Sequence, residues 1–482
     1  MLNHIHLVNY KSYDDEQFEI KPVTILCGGN SSGKTAILKS ILLLKQSFEA
    51  SGNNHLLLNG PYTNNGLFRN IKRVSSPADS NMMVELAFSI ESQNASFRDL
   101  CKSIGMSKRR REFSHFEIRA SFQFGENASF PQVGEVEKAS IVFSLCFSEN
   151  AGKNYGGENQ AEINITKQSQ DQLYTIELYN FPTLLFEQSD YPFKLLTHKW
   201  ENCTCYFRGM QLVSLYKDNL SKVSTSALPV LYTIFRVLAA EFNRINIIGP
   251  IRESPLRQYL SLDMYSEIGI KGENTAQFLG QYGNTPINCF LPEDSTIRSV
   301  PLIDAVVKWA NHMGIERPSV VNTDVPGAKL TQIMIGEQNL ADVGFGVSQV
   351  LPILVAGLTM PSGNTLMLEQ PEIHLHPKMQ MEIADFLVKM AEHGKNLIVE
   401  THSDHIINRI VKRALENRAF LEKVKIYYIE KQEAGNSEWT EVQINEILGI
   451  DEAPEGFFDQ YAAETEQILQ RGYQNMKSKL DQ

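Results

Sequence analysis

The chain has 482 residues, of which 42% are hydrophobic and 21% are charged, and its formal net charge is −11. This length favours two or three lobes, and the composition is typical of globular proteins. The negative charge argues against a nonspecific nucleic-acid coat, because phosphate binding requires clustered cations. No secretory segment follows Met1, no apolar run has membrane-spanning length, and the six cysteines are scattered. We therefore expect a cytoplasmic protein with reduced thiols and no membrane partner.

The first elements in chain order are a hairpin, a third strand, a glycine-rich loop and a helix. Alternating apolar residues predict the hairpin at residues 2–8 and 18–20. A β-rich run at residues 23–27 leads into residues 28–35, which fit the phosphate-loop pattern G-x-x-x-x-G-K-[ST] without a mismatch. An apolar helix is predicted at residues 36–48. Strand, loop and helix in this order are the context that a phosphate loop requires.

The glycine-rich loop is predicted to bind the phosphates of a nucleoside triphosphate. Its glycines let the backbone wrap the phosphates, and the helix N-terminus presents unpaired N–H groups and a partial positive charge. Lys34 is expected to reach the β- and γ-phosphates, and the Thr35 hydroxyl is expected to ligate Mg²⁺. The predicted nucleotide-binding residues of this loop are Gly28, Asn30, Ser31, Ser32, Gly33, Lys34, Thr35 and Ala36. A glycine-rich turn without a ligand is the weaker alternative in this context.

The middle of the chain contains two different patterns. Residues 85–216 hold short alternating runs separated by polar, glycine-rich or asparagine-rich turns, which predicts an antiparallel β lobe inserted after the first helix. From residue 226 onwards the pattern is helical. It predicts helices at residues 227–245 and 302–313, with a break at residues 247–250.

Strands and helices alternate in the last part of the chain. The predicted elements are helices at residues 347–358, 377–391 and 403–415, strands at residues 365–368, 396–399 and 424–429, and a final helix at residues 457–480. This alternation implies a mostly parallel sheet flanked by helices, and hence an α/β fold with an added antiparallel β lobe. The predicted domains are residues 1–84 (head with the phosphate loop), 85–216 (inserted β lobe), 217–340 (helical arm region) and 341–482 (second part of the head).

Two predicted strand ends place further candidate residues beside the phosphate loop. Glu369 ends the apolar run 366–368, and a buried parallel strand delivers such a carboxylate to the sheet edge, where it can hold Mg²⁺. His402 follows the next strand, a position from which a histidine can sense the γ-phosphate. His374 and His376 lie between these two segments without a third ligand nearby, so a structured turn is favoured over a metal site.

Residues 344–349 form a second candidate anion site. This Gly-Phe-Gly-Val-Ser-Gln segment opens an apolar helix, and Gly346 and Ser348 would lie at the N-terminus, where N–H groups attract anions. One nucleotide does not need two γ-phosphate sites within one chain. We therefore expect this element to complete the site of a second protomer, with the nucleotide held between two copies. An ordinary helix start is the alternative.

Together these motifs resemble the ABC-type ATPase heads of the group that contains RecF, SMC and overcoming-lysogenization-defect (OLD) proteins. The matching segments are residues 9–13 (a strand end), 28–35 (Walker A), 344–349 (the OLD-like form of the ABC signature), 369–377 (Walker B region) and 400–403 (switch histidine). The resemblance implies an ABC-ATPase-like head that binds ATP and Mg²⁺ and forms a homodimer or a higher even oligomer. It does not cover the β lobe.

Two departures from the family pattern affect the expected chemistry. The catalytic glutamate expected after Glu369 is Gln370, and an amide can position water but cannot take its proton. Hydrolysis is therefore expected to be slow unless Glu372 substitutes, and the predicted catalytic residues are Glu369, Gln370, Glu372 and His402. The 80 residues after His402 lack the Asp-x-Asp pair of OLD nucleases, so no nuclease active site is expected.

An ATPase of this kind without its own effector implies a separate one. The pattern is similar to stand-alone ATPase subunits of bacterial anti-phage systems, above all the Septu ATPase, with the PARIS ATPase as another candidate. The first hypothesis is a regulatory ATPase for an HNH or Toprim nuclease, with nucleic acid contacted through that complex. The alternative is a RecF- or SMC-like DNA repair ATPase that contacts DNA through Arg252, Arg257 and the arginines at positions 109–111. An autonomous OLD-type nuclease is a third, weaker hypothesis.

Overall fold

The computed structural model describes most of the chain. The described residues are 1–51, 55–77, 80–104, 113–126, 133–147, 160–168, 173–184, 193–217, 222–294, 296–433, 435–447, 449–451, 453–454, 456–458 and 460–480. Their arrangement confirms the predicted fold class, an α/β fold with a mostly parallel sheet and an antiparallel β lobe.

The elements are labelled in chain order. The strands are β1 Leu2–Tyr10, β2 Tyr13–Glu19, β3 Val23–Gly28, β4 His55–Leu57, β5 Met82–Glu91, β6 Phe113–Glu126, β7 Val133–Phe147, β8 Gln160–Lys167, β9 Leu173–Leu184, β10 Phe193–Arg208, β11 Gln211–Tyr216, β12 Ile245–Ile248, β13 Tyr259–Ser261, β14 Pro286–Cys289, β15 Arg298–Pro301, β16 Pro318–Val325, β17 Ala328–Ile335, β18 Gln338–Asn339, β19 Thr365–Glu369, β20 Asn396–Glu400, β21 Val424–Lys431, β22 Ser437–Glu441, β23 Gln443–Asn445 and β24 Gly449–Asp451. The helices are α1 Lys34–Glu49, α2 Ala95–Ser103, α3 Lys222–Asn243, α4 Thr275–Tyr282, α5 Leu302–His312, α6 Phe345–Thr359, α7 Pro377–Glu392, α8 Asp404–Glu416, α9 Arg418–Leu421 and α10 Gln460–Leu480, with short 3-10 helices at Phe68–Asn70 and Leu340–Asp342.

The parallel sheet has the strand order β12-β19-β20-β3-β21-β22, in which β22 is antiparallel. Strands β19 and β20 are adjacent, and β3, which leads into the phosphate loop, lies next to β20. Because parallel strands end at the same edge, residues that follow β3, β19 and β20 meet there. This edge is the place where the predicted site residues collect.

The parallel sheet lies between two hydrophobic cores, because successive residues of a strand point to opposite faces. Ile25 and Val399 pack with residues of helices α5, α6, α7 and α8. Leu26 and Ile398 face the other side, where they join residues of α1, α3 and the antiparallel sheet. Strands buried on both faces read as continuous apolar runs, which explains why their positions were predictable.

The antiparallel sheet has the order β11-β10-β9-β8-β7-β6-β5-β1-β2, and β4 pairs with β7. The predicted hairpin of β1 and β2 is confirmed, with His4 opposite Glu19. The sheet therefore includes the first two strands of the chain as well as strands from the region predicted as a β lobe. The proposed domain boundaries remain predictions.

Two elements differ from the sequence-based expectation. The sequence predicted a helix as far as residue 245 and a break at residues 247–250, but residues 245–248 form strand β12, because they pair in parallel with β19 through residues such as Ile247 and Met367. The final helix begins at Gln460 rather than at residue 457. Phe458 has a φ of 53°, which is incompatible with a right-handed helix, and its ring packs on the ring of Phe457.

Among the described residues, no helix combines the length and the apolar character needed to cross a membrane. All six cysteines are free thiols, and five of them are buried.

We expect Gly28→Ala to lower the free energy of unfolding by about 2–4 kcal/mol. Gly28 has a φ of 133°, and a Cβ there would overlap the carbonyl oxygen of Ile429 in the neighbouring strand β21. Alanine must therefore shift the strand that leads into the phosphate loop. Urea denaturation of the full chain measures the change.

Gly29→Ala is the matched control for Gly28→Ala. A Cβ at Gly29 would have no atom within 4 Å. We expect this variant to unfold at the urea concentration of the wild type, within error. Equal loss of stability in both variants would contradict the steric explanation.

Candidate functional site

The phosphate loop is held in place by hydroxyl groups from two strands. Tyr13 of β2 donates to the carbonyl oxygen of Gly33 at 3.0 Å, and Ser437 of β22 donates to that of Ser32 at 2.5 Å. Tyr13 is fully buried, and burial raises the pKa of its phenol well above the ordinary value, so the hydroxyl stays a donor. These bonds fix the shape of the loop, whose residues 29–31 are exposed.

Lys34 lies inside the phosphate loop. Its ammonium group donates to the carbonyl oxygens of Gly29 at 2.6 Å and Gly28 at 3.1 Å, and the residue is only 3% exposed. Burial lowers the pKa of Lys34, while the carboxylate of Glu400 acts in the opposite direction. An ammonium group in this position can replace its hydrogen bonds to the loop carbonyls with hydrogen bonds to phosphate oxygens.

Two carboxylates end the neighbouring strands β19 and β20. Glu369 and Glu400 are register partners, and Glu400 Oε1 accepts a hydrogen bond from the Thr35 hydroxyl at 2.8 Å. Burial and the charge of Glu400 raise the pKa of Glu369 to about 7, and burial also raises the pKa of Glu400. Thr35 and Glu369, the predicted Mg²⁺ ligands, thus lie at one sheet edge on either side of Glu400.

Glu372 connects the segment after β19 to the segment after β20. Its Oε1 accepts from the backbone N–H of His402 at 2.6 Å, and its Oε2 accepts from the Thr401 hydroxyl at 2.8 Å. Burial raises the pKa of Glu372, although these hydrogen bonds oppose the change. Burial and nearby Lys34 lower the pKa of His402, which keeps its ring neutral at neutral pH. Both oxygens of Glu372 therefore hold the switch segment in place.

Gln370 has a backbone conformation that is unusual for a residue with a side chain. Its φ is 46°, in the left-handed region. Its N–H donates to the carbonyl oxygen of Glu400 at 2.7 Å, and its carbonyl oxygen accepts from Arg252 Nη1 at 3.2 Å. Because these bonds use main-chain atoms of Gln370, a change of its side chain leaves them available.

The prediction that Arg252 contacts DNA is wrong. Arg252 is 2% exposed, and its Nη2 donates to the carbonyl oxygen of Glu369 at 3.0 Å. Burial lowers the pKa of Arg252 to about 10. The guanidinium is thus used within the chain to hold the end of β19.

Arg257 is exposed and makes two hydrogen bonds to Asp342, at 2.6 and 2.8 Å. The arginines at positions 109–111 lie outside the described residues.

The predicted signature segment opens helix α6 and lies against the turn after β19. Ser348 is buried in the first turn of the helix, where its hydroxyl donates to the carbonyl oxygen of Phe345 at 2.7 Å. A Cβ on Gly346 would lie 3.0 Å from the carbonyl oxygen of His374. In the part of the chain that the structure describes, no hydrogen bond joins Gly346 or Ser348 to the phosphate loop. Residues 344–345 are the exposed part of this helix start.

His374 and His376 belong to a turn that precedes helix α7, as the sequence predicted. The ring of His374 packs edge-on against the ring of Phe345, with centroids 5.0 Å apart. His376 is the N-cap of α7, and its Nδ1 accepts from the backbone N–H of Lys378 at 3.3 Å. Packing and capping account for both histidines without a metal ion.

A cluster of His312, Glu382 and Asp385 on helices α5 and α7 also carries atoms of the type that bind metals. Arg409 Nη2 and Arg413 Nε donate to the carboxylate of Asp385 at 2.6 and 2.7 Å. Burial raises the pKa of Asp385, but the hydrogen bonds from these arginines outweigh it, and the pKa lies below its ordinary value. The carboxylate is already neutralised, so this cluster is an ion-pair network.

The sequence interpretation missed the roles of Glu400 and Arg252. A signal for Glu400 was present, since it ends an apolar strand as Glu369 does. For Arg252 no local signal exists, because its partner carbonyl in Glu369 lies 117 positions away along the chain.

The side chains at this edge fit a nucleotide with a bound Mg²⁺ ion. Mg²⁺ prefers oxygen ligands, which the Thr35 hydroxyl and the Glu369 carboxylate supply. Lys34 and the N-terminus of α1 supply positive charge for phosphates. Glu400 Oε2 is buried without a hydrogen-bond partner among the described residues, so this oxygen is able to bind a cation at the same edge.

Comparison with known structures finds many similar chains, among them three SMC head domains that each have 11% sequence identity to this chain. The SMC head domain from Thermotoga maritima has a TM-score of 0.37, with 92% of this chain and 99% of that chain covered. An SmcHead bound to the C-winged helix domain of ScpA has a TM-score of 0.39, with 92% and 98% covered. The Smc head domain with an extended coiled coil, bound to the C-terminal domain of ScpA derived from Pyrococcus furiosus, has a TM-score of 0.36, with 92% and 96% covered.

No curated protein sequence matches the chain. A protein-family model described as an AAA ATPase domain matches residues 1–222 and 300–407. These ranges contain the phosphate loop, Glu369, Glu400 and His402, which the structure brings to one edge of the parallel sheet. The match extends over more than half of the sequence, and the chain therefore belongs to the AAA ATPase domain family.

Proposed function

We propose that this protein is a slowly hydrolysing regulatory ATPase that dimerises around ATP and Mg²⁺ and controls a separate nuclease in bacterial anti-phage defence. The observation that carries the ATP-binding part is the meeting of Lys34, Thr35 and Glu369 at one sheet edge. The anti-phage role and the nuclease rest on the resemblance of the sequence motifs to the Septu type of ATPase.

In the proposed site, each residue type has a separate task. The loop N–H groups and Lys34 bind phosphate oxygens, and Thr35 and Glu369 hold Mg²⁺, which neutralises charge on the phosphates. His402 lies at the end of β20 with a neutral ring that can donate or accept one hydrogen bond at the γ-phosphate.

Slow hydrolysis follows from the chemistry at position 370. The amide of Gln370 can orient a water molecule but cannot accept its proton. Glu372, the alternative base, has both carboxylate oxygens engaged by Thr401 and His402. Nucleotide binding, rather than turnover, is therefore the proposed signal, and ATP acts by favouring one dimer state over another.

The proposed dimer places the start of helix α6 against the nucleotide of the other protomer. Ser348 uses its hydroxyl within its own helix, so backbone N–H groups near Gly344 and Gly346 are the proposed donors to the γ-phosphate. The sequence predicted that Ser348 caps the γ-phosphate of the other protomer; in this proposal its side chain instead acts through the shape of the first turn.

The nuclease hypothesis is tested with the purified chain and the product of a neighbouring gene. We expect no DNA cleavage by the chain alone with Mg²⁺ or Mn²⁺, and nucleotide-dependent cleavage when an HNH or Toprim protein encoded beside it is added. Metal-dependent cleavage by the chain alone would instead support an autonomous nuclease.

The alternative function is a DNA repair ATPase of the RecF or SMC type. The burial of Arg252 removes one of its proposed contacts, and Arg257 is paired with Asp342. A salt titration of DNA binding by the purified chain separates the hypotheses. A steep fall of affinity with salt favours the repair ATPase, whereas no binding without a partner favours the regulator.

We expect Lys34→Ala to weaken ATP binding by at least about 100-fold, because it removes the charged donor from the loop. Isothermal titration calorimetry measures the dissociation constant. Lys412→Ala, which removes an exposed lysine of α8, is the control and should bind as the wild type does. Normal ATP binding by the Lys34 variant would contradict the assignment of the site.

We expect Gln370→Glu to raise the rate of ATP hydrolysis by about 10-fold or more, because a carboxylate can take the proton of the attacking water. Phosphate release at saturating ATP measures the rate. If the rate is measurable and unchanged, another base acts, and Glu372→Gln then tests the first candidate.

We expect a mixture of Lys34→Ala and Gly344→Asp chains to regain ATP-dependent dimerisation that neither variant shows alone. Gly344 is the N-cap of α6, and a Cβ there would have no atom within 4 Å. Aspartate is a favourable N-cap, so the fold should persist, while its charge repels a γ-phosphate. In the mixed dimer, the Gly344→Asp chain supplies an intact phosphate loop and the Lys34→Ala chain supplies an intact start of α6. One of its two shared sites is therefore complete, whereas neither variant alone can form a complete site.

Sedimentation velocity with a nonhydrolysable ATP analogue, together with a count of bound nucleotide, measures this recovery. The expected complex has two chains and one nucleotide. A mixture that sediments as the sum of its two components would rule out a site shared between protomers.

A further inference from the structure

Glu400 has a position that the functions assigned above do not use. It is the last residue of β20, opposite Glu369 of β19 and Leu26 of β3 in the strand register. The residue therefore lies between the strand that carries a predicted Mg²⁺ ligand and the strand that leads into the phosphate loop. It is 3% exposed.

The two carboxylate oxygens of Glu400 have different surroundings. Oε1 accepts from the Thr35 hydroxyl at 2.8 Å, whereas Oε2 is buried without a hydrogen-bond partner. A buried carboxyl oxygen with no partner is unfavourable, and native structures rarely retain one without a bound ion or water. The unpartnered oxygen is thus positioned to bind a cation next to Thr35.

The cations whose charges act on these carboxylates are Lys34, Lys39 and Arg252, and none of them forms an ion pair with Glu369 or Glu400 in the described residues. The ammonium of Lys34 donates to Gly28, Gly29 and Ser32, and no ion pair joins it to Glu400 in the described residues. The guanidinium of Arg252 is directed to main-chain carbonyl oxygens instead. The buried carboxylates of Glu369 and Glu400 therefore end adjacent strands without a direct ion pair to these cations.

We propose that Glu400 is a direct ligand of the divalent cation that accompanies the nucleotide, together with Thr35 and Glu369. Its Oε1 releases the Thr35 hydroxyl when that hydroxyl turns its lone pairs to the cation. This inference rests on the proposed ATP site and adds a metal-binding residue to it. A merely structural role, in which Glu400 only anchors Thr35, is the competing explanation.

Glu400→Gln separates these two explanations. Glutamine keeps an oxygen that accepts from Thr35 but loses the charge that binds a divalent cation. The measurement is ATP affinity in EDTA and in Mg²⁺, and the quantity compared is the gain in affinity that Mg²⁺ produces. Glu430→Gln, at an exposed position of strand β21 on the far side of β3, is the matched control.

We expect Glu400→Gln to bind ATP in EDTA at least as tightly as the wild type, since it removes a negative charge near the phosphates. The gain from Mg²⁺ should fall by about 10-fold or more, while the control keeps the gain of the wild type. An undiminished gain in Glu400→Gln would overturn the inference. Failure of the wild type to bind ATP under either condition would instead overturn the proposed ATP site itself.

A second measurement uses the unaltered protein, so it does not depend on the folding of a variant. Fe²⁺ replaces Mg²⁺ in the presence of ATP, and hydrogen peroxide with ascorbate then cuts the backbone next to the bound iron. We expect fragments that end near residues 35, 369 and 400, all suppressed by excess Mg²⁺. Cuts near 35 and 369 without one near 400 would show that Glu400 is not a ligand.

Discussion

The structure of the site depends on the burial of like charges at the end of the parallel sheet. Glu369 and Glu400 end adjacent strands, and burial, together with the charge of Glu400, raises the pKa of Glu369 to about 7. Water is largely excluded there, so the repulsion between carboxylates is only weakly screened. Positive charge stabilises a site of this kind, and in the proposed function the Mg²⁺ ion that accompanies the nucleotide supplies that charge next to the phosphate loop.

The same edge is connected to the rest of the molecule by main-chain hydrogen bonds. Arg252 holds the carbonyl oxygens of Glu369 and Gln370, and the Gln370 N–H is bound to Glu400. Glu372 joins this segment to His402. The segment of His402 is therefore joined through Glu372 to the turn after β19, and that turn packs against the start of helix α6.

Much of the fold was predictable because the parallel strands are buried on both faces. Such strands appear as uninterrupted apolar runs, and β3, β19, β20 and β21 were all located within a few residues. Strand β12 was not predicted, because its few residues follow a helix closely and form a strand only by pairing with β19. Helix α10 begins later than predicted for a local reason, because Phe458 has a left-handed backbone conformation.

The sequence by itself determined the phosphate loop, the carboxylate at Glu369 and the histidine at position 402, because each is specified by residues that are neighbours along the chain. Only the tertiary structure decided the partners that reach this site from a distance. Arg252 was expected on the surface and is buried. Glu400 lies beside both Glu369 and the phosphate loop only because β20 is placed between β19 and β3. The spacing of residues along the chain is enough to predict strands and turns. Which charged residues come close together depends on the order of the strands in the sheet, and the interaction between charges is strong only at short distance.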